Sequence, residues 1–265
     1  MAARDPRLTP ARPDLAAESL RGLVDAPRYA APRPHVVASA TAPLTAAPDP
    51  EAPLASTLLR GEPFTVYDSA AGWAWGQAET DGYVGYAPAA CLAPAGPAPS
   101  HRVAALLAPV YPAPDIKTRP FDALPYLARV SAATDAAAPG FLALAEGGWV
   151  CAQHLAPADA PARDWVAEAL RFVGVAYLWG GRSAAGVDCS GLVQLARQAA
   201  GRSCPRDSDQ QRAADGAEVP AGAERRGDLI CWRGHIGVML DRRRLLHANA
   251  HHMAAAVEPL AAAEA

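Results

Sequence analysis

The sequence lacks several features that would by themselves define a class of protein. It contains no run of about 18 apolar residues, so we predict no membrane-spanning helix. Its net charge of −3 offers no electrostatic attraction to nucleic acid or to an anionic membrane surface. The first residues, MAARDPRL, include no apolar segment typical of a secretory signal. We therefore expect a cytoplasmic protein without a membrane span and without a nucleic-acid partner.

Paired cysteines are also lacking. The chain has five widely spaced cysteines and no Cys-x-x-Cys pair: Cys91, Cys151, Cys189, Cys204 and Cys231. An odd, scattered set argues against both a disulfide scaffold and a zinc site. The histidines between His247 and His252 could suggest metal binding, but no cysteine or carboxylate lies at a spacing typical of ligands. We expect no metal and no cofactor.

Proline and glycine, in contrast, are abundant, with 26 and 21 residues, which indicates many turns and linkers. Residues 1–35 are rich in proline and predict an irregular arm with a short helix near residues 15–24. Residues 36–94 contain FTVYD, WAWGQ and GYVGY, short aromatic and β-branched runs that are typical of strands in a small β-barrel. Residues 101–157 repeat this pattern, and the two stretches end alike, in CLAP and HLAP. We predict two barrels.

Residues 161–265 have a different pattern, which favours an α+β domain. Asp164 can cap a helix over residues 165–173, whose apolar positions recur at helical spacing. A second helix is predicted to begin near Asp188 and to end before Gly201. Beyond it, four further segments are predicted as strands: GDLICW, HIGVML, LLHAN and AAVEPL.

Cys189 is the cysteine whose context indicates chemistry. It follows Asp188 at the predicted start of the second helix, where free backbone N–H groups and the helix dipole favour an anion. The thiolate is the nucleophilic form of cysteine, and such a position or a neighbouring imidazolium lowers the thiol pKa. The same N–H groups could bind the oxyanion of a tetrahedral intermediate. We predict that Cys189 is a nucleophile.

Two histidines are predicted to meet on one face of a hairpin. On the strand HIGVML, one face carries His235, Gly237 and Met239. The other face, with Ile236, Val238 and Leu240, belongs to the core. A hairpin centred on Asp241 would put His247 directly opposite His235, with their Cβ atoms about 5 Å apart. One imidazole could then orient the other, as the third group does in nucleophile–base–orienter triads.

Four blocks of the sequence resemble, in order, the motifs of NlpC-type cell-wall endopeptidases: YLWGGRSAAGVDCSGLVQ, RGDLICW, HIGVMLD and LLHANA. The resemblance covers about residues 162–260. It implies a papain-like core that hydrolyses the bond between γ-D-glutamate and a diamino acid, such as meso-diaminopimelate, in a murein peptide. The family often carries bacterial Src-homology-3-like (SH3-like) barrels ahead of this core. The implied fold is therefore α+β, with a papain-like catalytic domain preceded by two small SH3-like β-barrels.

The resemblance also assigns roles to residues of this sequence. Cys189 of DCSG would be the nucleophile, His235 of HIGV the base and His247 of LLHA the orienting residue. Tyr177 of YLWGG would place its hydroxyl near the thiol, with core packing as the alternative. CPRDSDQQ resembles a loop that follows the nucleophile helix in this family, and its Arg206 could meet a substrate carboxylate or form an exposed salt bridge.

Three further residues concern the end of the substrate. Asp188 and Ser190 resemble the pair that holds the L-alanine amine in family members that cut short free peptides, and Asp188 can also be the N-cap. Tyr83 of DGYVGY resembles a first-barrel tyrosine that helps to close that end of the cleft, with barrel core as the alternative. With the missing signal, these residues predict an enzyme of cell-wall recycling that needs a free N-terminal L-alanine.

Two other functions stay open at this point. The chain could be a wall-binding adaptor with an inactive catalytic domain, in which the barrels supply the function. It could also be a related thiol amidase or acyltransferase on the same fold. Neither the diamino acid accepted nor the oligomeric state is predicted.

Overall fold

The computed structural model describes residues 4–214 and 216–264, with the segment 134–137 described by its backbone. The chain divides into two compact units, Met1–Ala158 and Asp159–Ala265. In the described part of the chain, the helices are all too short or too polar to cross a membrane.

The N-terminal segment is extended and packed, which corrects the prediction of an irregular arm with a short α-helix. Its three strands form one small sheet: β1 (Ala11–Arg12), β2 (Leu15–Ala17) and β3 (Tyr29–Ala30). The only helical turn described here is a 3-10 turn at Glu18–Leu20. Leu15 is 2% exposed, and the carbonyl of Arg7 accepts a hydrogen bond from the Val84 N–H group at 2.7 Å. Burial of apolar side chains and hydrogen bonding to the following strands therefore stabilise an ordered segment, despite its high proline content.

The next stretch forms a seven-stranded antiparallel sheet in the order β10-β4-β7-β8-β9-β5-β6. Its strands are β4 (Arg33–Val37), β5 (Thr41–Thr45), β6 (Leu54–Leu59), β7 (Pro63–Ala70), β8 (Trp73–Ala78), β9 (Val84–Pro88) and β10 (Leu92–Pro94). The last strand of this stretch pairs with its first strand, Ala93 facing Val36, so the two ends of the stretch lie side by side. Leu44, Phe64 and Tyr83 lie in its core.

The third stretch has a core of its own, which includes Val110, Leu124 and Val150. Its strands are β11 (His101–Val103), β12 (Leu107–Tyr111), β13 (Asp122–Pro125), β14 (Arg129–Val130), β15 (Ala132–Ala138), β16 (Phe141–Leu144), β17 (Trp149–Cys151) and β18 (Leu155–Pro157). The similar endings of the two stretches, CLAP and HLAP, adopt the same local structure. Each is a 3-10 turn, Ala89–Cys91 or Ala152–His154, followed by a strand that pairs with the first strand of its own stretch.

The second unit is an α+β domain with a four-stranded antiparallel sheet in the order β21-β22-β23-β24. Its elements are α1 (Trp165–Leu170), β19 (Arg182–Ser183), β20 (Gly186–Val187), α2 (Cys189–Ala199), α3 (Ser208–Ala214), β21 (Leu229–Trp232), β22 (His235–Met239), β23 (Arg244–Asn249), β24 (Ala254–Pro259) and α4 (Leu260–Ala263). Helix α2 packs on β22 and β23 and buries Leu192, Val193 and Leu195 completely. The start of α2 is thereby held against the strand that carries His235.

Two helices differ from the prediction. Helix α1 begins after its predicted cap, since the Asp164 carboxylate accepts the Val166 and Ala167 N–H groups at 3.0 and 3.2 Å. It ends at Leu170 and not at Val173, because the next hydrogen bonds are of the tighter i→i+3 type. Helix α3 lies in a segment that was expected to be a loop.

Candidate active site

The candidate nucleophile lies at the first residue of α2, as predicted. Asp188 is the N-cap, and its Oδ1 accepts the Gly191 N–H group at 2.7 Å. Only glycine fits at 191, because a Cβ there would lie 2.4 Å from the carbonyl oxygen of Gly181. The short loop YLWGG is thus held directly against the first turn of the helix. Cys189 is 7% exposed.

The surroundings of the sulfur contradict the prediction of a lowered thiol pKa. The backbone N–H groups of Ile236 and Ser190 lie near the Cys189 sulfur, where they favour the thiolate and act to lower the thiol pKa. Burial, followed by the negative charge of Asp188, outweighs them and raises the thiol pKa above its ordinary value. In the free protein Cys189 is therefore a neutral thiol near pH 7. The effect of the Ile236 backbone on this pKa also indicates that the sulfur lies close to the residue that follows His235.

The two predicted histidines do meet, but by a different register. Strand β22 pairs with β23 so that Val238 faces Leu246, which puts Gly237 and not His235 beside His247. The rings meet on the diagonal, with His235 Nε2 2.9 Å from His247 Nδ1. A shift of two residues keeps both side chains on the same face, because side chains alternate along a strand.

Asp241 accounts for the shifted register. Its carboxylate accepts the N–H groups of Arg243 and Arg244, each at 2.9 Å, so that Asp241 opens the turn and does not lie at its centre. The Leu240 N–H group then bonds the Arg244 carbonyl at 2.8 Å. The face that carries His235 is also covered, since Met239 on the same face is fully buried.

A glutamate that we did not predict extends the histidine pair. His247 Nε2 lies 2.7 Å from Oε1 of Glu258 on β24. The amide Nδ2 of Asn249 lies 2.7 Å from the same ring nitrogen. The signal available in the sequence was a lone carboxylate in the otherwise apolar strand AAVEPL.

Burial keeps both imidazoles neutral. It lowers the pKa of His235 to about 4, with a further contribution from His247. It also lowers the pKa of His247, although the hydrogen bond and charge of Glu258 oppose this. Trp232, which faces His235 across β21 and β22, stacks on its ring with 5.4 Å between the centroids. A neutral imidazole is the form that can accept a proton from a thiol.

Asp188 and Ser190 are both hydrogen-bonded to Arg206, a residue whose buried position we did not predict. Arg206 is 1% exposed and binds Asp188 through both terminal nitrogens, at 3.0 and 2.6 Å, and Ser190 Oγ at 2.9 Å. The exposed salt bridge considered for Arg206 is therefore wrong. Asp188 also accepts the Gly180 N–H group at 2.8 Å. Its carboxylate thus supports the start of α2, and an amine bound there would be an additional donor.

The remaining predicted residues lie in different places. Tyr177 is half-buried, and burial together with the nearby Cys189 and Asp188 raises the pKa of its hydroxyl to about 12, so it stays protonated. Tyr83 lies in the other unit, packed in the core of the seven-stranded sheet at 8% exposure. The structure thus gathers Cys189, His235 and four of their predicted neighbours in one domain, while the role of Tyr83 stays a prediction.

One cluster offers metal ligands. His247, His252 and Glu258 present three ligand atoms within 4.8 Å of one another. From the sequence we expected no carboxylate near these histidines, but strand pairing brings Glu258 to them. Two of these groups, His247 and Glu258, already bond each other, so the arrangement is satisfied as a hydrogen-bonded network.

Comparison with known proteins finds a family match within each of the two units. The NlpC/P60 family model matches residues 174–261, and the model of the bacterial dipeptidyl-peptidase SH3 domain matches residues 44–92. An NlpC/P60 family protein from Bacillus cereus superposes with a TM-score of 0.71 over 86% of this chain and 94% of that chain, at 20% identity. At that identity, the superposition supports the fold alone.

Curated relatives match about a third of the chain. The γ-D-glutamyl-L-lysine dipeptidyl-peptidase of Bacillus subtilis is 36% identical over 95 residues, 33% of this chain and 32% of that protein. Dipeptidyl-peptidase 6 of Lysinibacillus sphaericus is 31% identical over 98 residues, 37% of this chain and 36% of that protein. The chain thus spans about a third of the length of these relatives.

These matches confirm the predicted peptidase family and the SH3-like character of the first barrel, whereas that of the second barrel stays a prediction. The chain therefore combines a domain of the NlpC/P60 family, over residues 174–261, with a bacterial SH3 domain of the dipeptidyl-peptidase type, over residues 44–92.

Proposed function

We propose that this chain is a cysteine peptidase that hydrolyses the bond between γ-D-glutamate and a diamino acid in murein peptides. The observation that carries the proposal is the position of Cys189. Its sulfur lies near the backbone N–H group of Ile236, the residue next to His235, and His235 bonds His247 at 2.9 Å. A buried thiol beside a hydrogen-bonded imidazole pair is the arrangement that acyl transfer through a thioester requires.

The proposed reaction begins from neutral groups. As the sulfur attacks the γ-glutamyl carbonyl carbon, the thiol proton passes to the His235 imidazole. The imidazolium then gives this proton to the leaving amine as the C–N bond breaks, which leaves a thioester on Cys189. Water, deprotonated by His235, then attacks the thioester carbonyl and the C–S bond breaks. The imidazolium returns its proton to the sulfur, so that the acid is released and the thiol is restored. Tyr177, whose hydroxyl stays protonated, is proposed to donate a hydrogen bond near the reacting carbonyl.

The proposed substrate is a short peptide with a free N-terminal L-alanine. The names of the two dipeptidyl-peptidase relatives support this, since such enzymes release a dipeptide from a free N-terminus. Asp188 and Ser190 are proposed to contribute to binding the amine. Because Arg206 already neutralises Asp188, we expect Asp188 to supply only part of this binding. Action in the cytoplasm on recycled wall peptides belongs to the same proposal.

The test compares L-Ala-γ-D-Glu-meso-diaminopimelate with its N-acetylated form, using the full chain and a C189A control. We expect release of diaminopimelate from the free peptide only, and none from C189A. Equal rates on both peptides would contradict the free-amine requirement while leaving the peptidase intact. No cleavage of either peptide would contradict the proposed function. Replacing diaminopimelate with L-lysine in the same assay identifies the diamino acid accepted.

The raised pKa of Cys189 is the one observation that favours the alternative of a wall-binding adaptor with an inactive catalytic domain. The two functions differ in whether His235 activates the thiol. An active enzyme should react with a peptide carrying an electrophile at the γ-glutamyl carbonyl, and H235A should lose this labelling. An adaptor should label equally slowly with and without His235.

A further inference from the structure

Glu258 lies at the end of a chain of hydrogen bonds that begins at His235. On β23 and β24 His247 faces Ala256, so Glu258 reaches His247 on the diagonal, from two residues further along the same face. The side chains of His247 and Glu258 are 5% and 19% exposed, and their bond is 2.7 Å long. Charge-assisted hydrogen bonds of this kind are stronger than bonds between neutral groups, and more so when they are shielded from water.

The bond to Glu258 determines which ring nitrogens of His247 and His235 carry protons along this series of hydrogen bonds. A carboxylate can accept a hydrogen bond but cannot donate one, so its bond to Glu258 requires a proton on Nε2 of His247. A neutral His247 then has a bare Nδ1, which must accept the bond from Nε2–H of His235. With its proton on Nε2, a neutral His235 carries its lone pair on Nδ1. That lone pair is free to take the thiol proton.

Asn249 favours the opposite arrangement. Its Oδ1 accepts the His252 N–H group at 2.7 Å, which turns the amide nitrogen towards Nε2 of His247. Nδ2 can only donate, so a bond from it would require a bare Nε2 on His247. The proton of His247 would then lie on Nδ1 and be donated to His235 Nε2. His235 would carry its own proton on Nδ1 and could not act as a base through that atom.

We propose that Glu258 is a positioning residue, which holds the proton of His247 on Nε2 and thereby keeps Nδ1 of His235 free to accept the thiol proton. The inference rests on the proposed function, since it concerns the same catalytic pair. It also gives Glu258 a second effect. When His235 becomes an imidazolium, the carboxylate at the far side of His247 stabilises the new positive charge through the hydrogen bonds.

The variants that test this are E258Q and E258A, with E264Q as the matched control. The amide introduced by E258Q can donate to Nε2 of His247 and so favours the unproductive arrangement, whereas E258A removes the bias and leaves Asn249 to act alone. We expect kcat/KM to fall about 100-fold or more in E258Q, mainly through kcat. In a Ser-His-Asp triad the change from Asp to Asn, which acts one ring nearer to the nucleophile, costs about 10⁴-fold. E264Q alters an exposed glutamate of the same terminal segment and should leave activity unchanged.

The tautomers of His235 and His247 provide a second measurement, because they would not change if Glu258 had only a structural role. In ¹⁵N-histidine-labelled protein we expect His235 and His247 to carry their protons on Nε2 in the wild type and on Nδ1 in E258Q. Addition of N249A to E258A should recover part of the lost activity, because it removes the remaining donor. Unchanged tautomers in E258Q, or a kcat/KM within about twofold of the wild type, would overturn the inference.

The design separates failure of the inference from failure of the proposed function. If the wild type cleaves murein peptides and E258Q cleaves them equally well, only the role of Glu258 is contradicted. If the wild type cleaves none, the tautomers of the folded protein still decide the inference. In that case the inference stands only if the protons of His235 and His247 move from Nε2 to Nδ1 in E258Q.

Discussion

His247 meets His235 on the diagonal, past Gly237, which faces His247 and has no side chain to obstruct the contact. A Cβ added to Gly237 would lie 3.0 Å from the Cβ of His247 and 2.8 Å from Cδ1 of Leu245. The bond between the two rings, 2.9 Å long, is therefore made across a position that must be empty. This relationship ties the geometry of the proposed base to the packing of β22 on β23.

The first prediction follows directly from this contact. In G237A the new methyl group should displace His247 and weaken its bond to His235, lowering kcat/KM at least tenfold. Overpacking of this kind should also reduce the free energy of unfolding by about 1–3 kcal/mol, measured by urea denaturation. G96A is the control, because a Cβ at Gly96 meets no atom within 4 Å. Full activity in G237A would show that the diagonal contact is not needed.

The second prediction concerns the ionisation of the nucleophile. Because burial and Asp188 raise the thiol pKa of Cys189, the rate of its alkylation by iodoacetamide should rise with pH and reach half its maximum above the ordinary thiol value of about 8.5. The reference is the same reaction after denaturation in urea. A preformed thiolate–imidazolium pair would instead give a plateau that begins near pH 5, and this result would reject the neutral resting state.

The third prediction concerns the buried ion pair of Arg206 with Asp188. In R206A the carboxylate keeps its buried position without a counter-charge, which should cost about 3–5 kcal/mol in the free energy of unfolding. The comparison is R212A, whose ion pair with Glu218 is exposed and should contribute about 0–1 kcal/mol. Equal unfolding midpoints for the two variants would contradict the structural role assigned to Arg206.

The fourth prediction is a dependence of stability on acidity. The pKa of His235 is about 4 in the folded protein, against about 6.5 in an unfolded chain. Unfolding between these values therefore takes up a proton, and the free energy of unfolding should fall as the pH decreases from 6.5 to 4. In H235Q this fall should be shallower, because the variant lacks the group. Parallel curves for the two proteins, measured by thermal denaturation, would show that His235 is not kept neutral by folding.

Local patterns were sufficient for several parts of the protein. The strands FTVYD and WAWGQ, the cap Asp164 and the start of α2 all depend on residues close together in the chain. The order of the motifs around Cys189, His235 and His247 also predicted the family, which the comparisons confirm. Such features survive folding because side-chain alternation and helix capping are properties of short segments.

The parts that could not be predicted depend on contacts between distant segments. The sequence by itself determined that His235 and His247 share a face, but the two-residue shift of their register was decided by Asp241 in the turn. Likewise, only the packed domain brings Glu258 to His247 and buries Arg206 against Asp188. The charge states of the catalytic groups were decided there too, because desolvation depends on every neighbour that excludes water and not on the adjacent residues alone.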